Sequence, residues 1–262
     1  MENSEQFFDF AAEVGFTKHI GGVKATEEMV ELCHIGEGSY VLDVGCGAGV
    51  TPSFIAKKYG CKVVGVDILE GMIQKSKERT EREGIADRVE FRVADAQDLP
   101  FEDNLFDAVI TESVTAFPED KALAVREYAR VTKPGGYVGL NESTWLKIPV
   151  PPEMSAWASQ DLGSNVEPLT SEGWLKLLVD AGLGDITMEI SSIDTREEAR
   201  GILDRYGWSG MLRTMGGIFK LYLKNPAYRE FAKSVREGGI TPPNLKDYFG
   251  YGIYIGRKTG GV

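Results

Sequence analysis

The chain has 262 residues, 42% of them hydrophobic and 26% charged, which suits one large α/β domain with an elaboration, or two small domains. Its formal net charge of −11 argues against a nucleic-acid partner, and no run of 18 apolar residues is present, so no transmembrane helix is expected. Cys33, Cys46 and Cys61 are odd in number and lack a C-x-x-C spacing, while the acidic start Met1-Glu2-Asn3-Ser4-Glu5-Gln6 lacks the basic-then-apolar order of a signal peptide; both point to a cytoplasmic protein with buried thiols, without disulfides or a metal site.

Residues 1–35 read as two amphipathic helical segments. Phe7, Phe8, Phe10, Ala11 and Val14 give the first its apolar face, and Met29, Val30, Leu32 and Cys33 the second. The loop between them, Phe16 to Gly22, carries His19, a candidate base whose plainer role is that of a surface or capping residue. His34 precedes the first strand, where a solvent-facing role is expected. Strand Val41–Gly45 then runs into a glycine turn and a helix near 50–59, with Pro52 in the first turn where a missing N–H costs nothing. Gly45, Gly47 and Gly49 carry no Cβ, so a ligand can lie against the backbone and meet the free N–H groups of the helix start. Strand Lys62–Asp67 leads to a helix from Glu70 to Glu83 closed by Gly84. Strand Arg88–Val93 follows. Strand Phe106–Thr111 precedes a helix near 119–131, and Lys133-Pro134-Gly135-Gly136 turns into strand Tyr137–Asn141. This alternation predicts a parallel sheet with helices on both faces, and ligands bound at the strands' carboxyl ends, after Val44, Val66, Val93, Ile110 and Leu140.

The loop chemistry narrows the ligand. A dinucleotide fingerprint needs glycine at the sixth position of Gly45-Cys-Gly-Ala-Gly-Val50, where this chain has Val50; that counts against an NAD-dependent dehydrogenase. Asp67 ends the second strand 22 residues after Gly45 and can accept both hydroxyls of a ribose, or cap the following helix. Asp95 leaves the third strand in Ala94-Asp95-Ala96-Gln97-Asp98-Leu99-Pro100-Phe101, which could also be an Asx-turn.

The run Asp43-Val-Gly45-Cys-Gly47-Ala-Gly49 resembles motif I of the class I S-adenosylmethionine-dependent methyltransferases. Ala94–Phe101, Phe106-Asp107-Ala108-Val109 and Arg130-Val131-Thr-Lys133-Pro134-Gly135-Gly136 resemble further segments of that family in the expected order, between about residues 41 and 141; the closest subgroup holds the quinone, sterol, arsenite and glycine-type methyltransferases. The resemblance implies a Rossmann-like, seven-stranded, mostly parallel sheet. It implies S-adenosylmethionine as cofactor, S-adenosylhomocysteine as product, and a cofactor site formed by Asp43, Gly45, Gly47, Gly49, Asp67, Ile68, Asp95, Ala96 and Glu112. Residues 1–35 then form a helical lid over a core of residues 36–194.

Glu112 and Glu142 leave the fourth and fifth strands, and in the family such positions face the methyl group or the acceptor. Either could orient the acceptor or take its proton, or be a solvated loop carboxylate. Residues 144–170, with Trp145, Trp157 and four prolines, read as an irregular wall of the acceptor site. A helix at Glu172–Ala181 and a strand near Asp185–Ile190 follow. A helical insert over 195–248 (Glu197–Arg205, Gly210–Lys224 and Pro226–Glu237) separates them from the last strand, Tyr251–Gly256 within 249–262.

Residues 195–262 hold 12 basic and 6 acidic side chains, a balance of +6 that leaves −17 for the rest. Such asymmetry marks either a solvated face or a surface for an anionic partner or membrane, and the insert's apolar stripe suits a pocket cap or a homodimer contact. The expected activity is in-line methyl transfer to a small hydrophobic or aromatic acceptor, quinone-like or lipid. The alternatives are a small-amine N-methyltransferase and a SAM-binding regulator without turnover. Arsenite methylation is disfavoured, because no cysteine follows Cys61.

Overall fold

The computed structural model describes residues 10, 17, 19–161, 166, 168–193, 195–237 and 242–260. The first helical segment expected near Phe7–Val14 lies outside them except for Phe10. In chain order the described elements are α1 (Gly22–Leu32), β1 (Tyr40–Val44), α2 (Val50–Tyr59), β2 (Lys62–Asp67), α3 (Glu70–Glu83), β3 (Val89–Val93), β4 (Phe106–Glu112), α4 (Lys121–Val131) and β5 (Thr132–Trp145). Then come α5 (Pro152–Asp161), β6 (Leu169–Thr170), α6 (Ser171–Asp180), β7 (Leu183–Ser192), α7 (Thr195–Lys224), α8 (Pro226–Glu237), α9 (Leu245–Tyr248) and β8 (Phe249–Lys258).

The sheet runs β3-β2-β1-β4-β5-β8-β7, with the short β6 attached to the end of β5. β1 sits in the middle, parallel to β2 through Val41↔Val63 and to β4 through Val41↔Ala108. Its residues 41–44 are all buried, as expected of a strand covered on both faces. The chain order reverses at β1, which leaves a crevice at the strands' carboxyl ends between the loops after β1 and β4. β8 runs antiparallel between β5 and β7, so the strands either side of the long helical insert are neighbours.

Two cores cover the two faces. Val41, Ile110 and Ile253 pack against Met29 of α1, Ile55 of α2 and Ile73 of α3. Leu42, Val109, Leu140 and Tyr254 pack against Tyr128 of α4 and Trp174 of α6. Because side chains alternate along a strand, Asp43, Glu112 and Asn141 share the first face, and Thr111, Glu142 and Thr144 the second.

The structure departs from the sequence reading in the middle of the chain. Residues 152–161 of the supposed irregular segment form α5, with Pro152 as its first residue. β5 is longer than expected, and its residues 137–145 pair with β8 as far as Trp145↔Phe249. The insert's first two helices are one element, α7, broken by a non-helical Gly207 (φ 62°, ψ 169°).

Candidate functional site

The glycine turn after β1 is held in a shape only glycine adopts freely. Gly45, Gly47 and Gly49 have φ of 74°, 52° and 72°. A Cβ on Gly45 would lie 2.2 Å from Cγ2 of Val114, and one on Gly47 would lie 2.4 Å from Cγ2 of Thr17. Thr17, which precedes α1 in the chain, therefore lies directly over the turn.

Asp67, at the end of β2, accepts from the Gly47 amide (2.9 Å) and the Leu69 amide (3.0 Å). It thereby ties the glycine turn to the next loop. A carboxylate offers about four acceptor positions, so acceptor capacity remains for a ligand's hydroxyl. Ile68 beside it is 65% exposed, an apolar surface at the crevice rim. Asp95 accepts from the Gln97 amide (2.9 Å), which is the Asx-turn, with Ala96 at its apex. The loop behind it is braced by Arg130, which donates to the carbonyls of Leu99 (2.9 Å) and Phe101 (2.7 Å), while Glu127 accepts from the Leu99 amide (2.9 Å).

Three carboxylates converge at the crevice floor. Asp43 is fully buried, and its Oδ2 has no hydrogen-bond partner among the described residues. Burial pushes its carboxyl well above the usual range, and the nearby charges of Glu112 and Asp67 push it further. Burial likewise raises Asp67, against its amide donors. Burial pushes Glu112 up to about 7, opposed by donors from Thr51, Thr26 and Asn141.

Glu112 is the junction of the site. Its Oε1 accepts from Thr26 of α1 (2.7 Å) and its Oε2 from Thr51 of α2 (2.6 Å). Nε2 of His19 lies 3.4 Å from the same Oε2. His19 is buried, so it is not a surface residue, and its Nδ1 lies 3.2 Å from the carbonyl of Ile20. Ile20 is fastened in turn: Asn141 donates to its carbonyl (2.8 Å), and its amide donates to Ser113 (3.3 Å). Ser113, a non-glycine residue at φ 57°, is therefore held from the loop before α1.

Glu142 is not part of this group. It points from the opposite face, where its Oε1 accepts from the amides of Val114 (3.0 Å) and Thr115 (2.6 Å) and its Oε2 has no partner among the described residues. Burial pushes it up to about 7. Beyond Ser113, Ile20 packs on an aromatic cluster built from three separate segments: Trp145 and Trp157 meet Phe249 edge-on at 5.4 and 5.3 Å. His34 is exposed and lies tilted against Tyr137, with ring centroids 5.1 Å apart. Thr17, Thr26, Thr51 and Asn141 were not legible as site residues, because nothing local in the sequence distinguishes them.

These features suit one kind of ligand. A cradle of bare backbone, a carboxylate at the end of β2, and a buried carboxylate with an unmatched oxygen fit a nucleoside that carries positive charge, as a sulfonium does. Fold and site together define an α/β enzyme that binds such a cofactor at its strand ends. Residues 42–140 match a family described as a methyltransferase domain. The chain is 30% identical over 231 residues to an uncharacterized protein of Haemophilus influenzae, covering 84% of this chain and 88% of that one. It is 32% identical over 187 residues to phosphoethanolamine N-methyltransferase 1 of Arabidopsis thaliana, covering 71% of this chain and 37% of that protein, so it spans well under half of the plant relative. Among solved structures, the [4+2]-cyclase SpnF shares the fold with a TM-score of 0.76 at 22% identity, over 98% of this chain and 95% of that one. Other structures of the same fold carry S-adenosylmethionine or S-adenosylhomocysteine. The chain belongs to the class I S-adenosylmethionine-dependent methyltransferases, with S-adenosylmethionine as its cofactor. Among the described residues no helix is long and apolar enough to cross a membrane, and no group of histidine, cysteine and carboxylate side chains could hold a metal.

Proposed function

We propose that this enzyme methylates a small hydrophobic or aromatic acceptor, quinone-like or lipid, with His19 taking the acceptor's proton. The observation that carries the proposal is the placement of the buried His19–Glu112 pair next to the cluster of Ile20, Trp145, Trp157 and Phe249. The cofactor supplies an electrophilic methyl group. Asp43, Gly45, Gly47, Gly49, Asp67, Ile68, Asp95, Ala96 and Glu112 hold it, and residues 1–35 serve as the lid that excludes water. A phenol or quinol must lose a proton as its oxygen or ring carbon becomes nucleophilic. Nδ1 of His19 lies against the Ile20 carbonyl and Nε2 against Glu112 and Thr26, both at 3.4 Å, so the ring turns to present Nε2 to the acceptor, and the Glu112 carboxylate beside it stabilises the imidazolium that forms. Glu142 acts at one remove, by fixing the Val114–Thr115 turn.

A second reading, a small-amine acceptor, is supported by the name of the plant relative. The test is formation of S-adenosylhomocysteine across a panel of quinols, phenols and phosphorylated amines, with wild type and His19→Gln. Turnover of a phenolic acceptor, slowed at least ~100-fold by His19→Gln with cofactor affinity unchanged, supports the proposal. Turnover of amines alone would replace it with the second reading. Cofactor binding without turnover of any acceptor would leave a SAM-binding protein that does no chemistry.

A further inference from the structure

We propose that the outer face of α7 docks on an anionic lipid membrane. From Gly207 onward α7 has two opposed faces. Gly210, Thr214 and Leu221 are buried on the inner one. Trp208, Leu212, Met215, Phe219 and Tyr222 follow at steps of four, three, four and three, and they form the outer one. They are exposed by 76%, 69%, 60%, 63% and 47%, and Leu223 beside them by 61%. A contiguous stripe of large apolar side chains on an otherwise charged protein marks an interaction surface.

Charge identifies the occupant. Between Asp204 and Glu230 there is no acidic residue, whereas Arg205, Arg213, Lys220, Lys224 and Arg229 fall in that interval. Among the described residues Arg213, Lys220 and Lys224 are exposed, and on a helical projection they fall together along one flank of the stripe. This happens in a chain of net charge −11, so the local absence of acid matters. An apolar helical face flanked by Lys and Arg and bearing Trp and Tyr fits the boundary between anionic headgroups and acyl chains. A second copy fits worse, because a symmetric contact through this face would bring two basic flanks together.

The experiment is flotation of the full chain with vesicles of phosphatidylcholine alone, and of phosphatidylcholine with about 30% phosphatidylglycerol, at low and high salt. The part of the emission change that Trp208→Phe abolishes reports insertion, since Trp145 and Trp174 are buried and Trp157 is half-buried. Two surface variants, Leu212→Ser/Phe219→Ser and Lys220→Glu/Lys224→Glu, are checked for retained cofactor binding. The expected result is binding to the anionic vesicles that weakens with salt, falls at least ~10-fold in each variant, and blue-shifts Trp208 emission. Absence of binding, equal binding to both vesicle types, or binding that neither variant weakens would overturn the proposal. So would a dimer in the absence of lipid that Leu212→Ser/Phe219→Ser dissociates. Cofactor affinity is unmoved in every case, so this result stands apart from the reading of the active site.

Discussion

Replacing Glu142 by Gln should remove a pH dependence of stability while leaving the fold intact. Glu142 is fully buried and its carboxyl is pushed up to about 7 from an ordinary 4.5. In the unfolded chain it ionises near its ordinary value. The folded protein therefore holds a proton that the unfolded chain has released, and this favours unfolding progressively as pH rises from about 4.5 to about 7. The stability is fully present below the unfolded value and lost above the folded one. The loss amounts to about 3 kcal/mol, or roughly 5 °C of melting temperature for a chain of this size. Gln keeps the oxygen that accepts from Val114 and Thr115 and cannot ionise. Melting curves from about pH 5 to about pH 8 should show the variant losing about 3 kcal/mol less than wild type across that range. Parallel pH profiles for the two proteins would refute the reasoning. Glu142→Ala serves as the control: it leaves two buried amides unpaired and should be destabilised throughout by about 2–4 kcal/mol.

Gly47→Ala would place a methyl 2.4 Å from Thr17 at φ 52°, so it should weaken cofactor binding at least ~10-fold by calorimetry, and Thr17→Ala in the same chain should restore part of the loss. Because Glu112 is raised to about 7 beside Asp43, cofactor binding should release protons near neutral pH, and affinity should rise as pH increases from about 6 to about 8. Titrations in two buffers of different ionisation enthalpy read the released protons directly, and no buffer dependence would count against a cationic ligand at these carboxylates.

The glycine turn and the carboxylates around it were legible because backbone requirements write them locally. Three glycines within five residues, with Asp67 and Asp95 at the next two strand ends, need only the order of strands and helices to be placed. The surroundings of Glu112, where the proposed acceptor site begins, are assembled across distance. Glu112 takes its donors from Thr26, 86 residues earlier, and Thr51, 61 residues earlier, and neither threonine differs in its own neighbourhood from one that faces solvent. The placement of Glu142 illustrates the same limit. Alternation along β5 puts Asn141 and Glu142 on opposite faces, but which face meets the cofactor depends on how α1 and α4 pack. The start of α5 is different: Pro152 is a good first helical residue, and a cluster of prolines hid that signal.

The two buried glutamates, alike in burial and in raised pKa, act on one short stretch from opposite sides. Glu142 fixes the amides of Val114 and Thr115 from the face covered by α4, while Glu112 collects α1, α2 and His19 on the other. Between them stands Ser113 at φ 57°, with its amide donating to the Asn141 carbonyl (2.7 Å) and its hydroxyl accepting from Ile20. A left-handed serine costs about 1–2 kcal/mol, which the hydrogen bonds on either side offset. The end of β4 is therefore the joint between the two halves of the site. The loop that carries His19 meets Glu112 on one side and, through Ile20, Ser113 on the side of the proposed acceptor site, so moving that loop changes both at once. Under the proposed function the base rides on this loop beside Thr17, which covers Gly47, and this couples proton removal to exclusion of water.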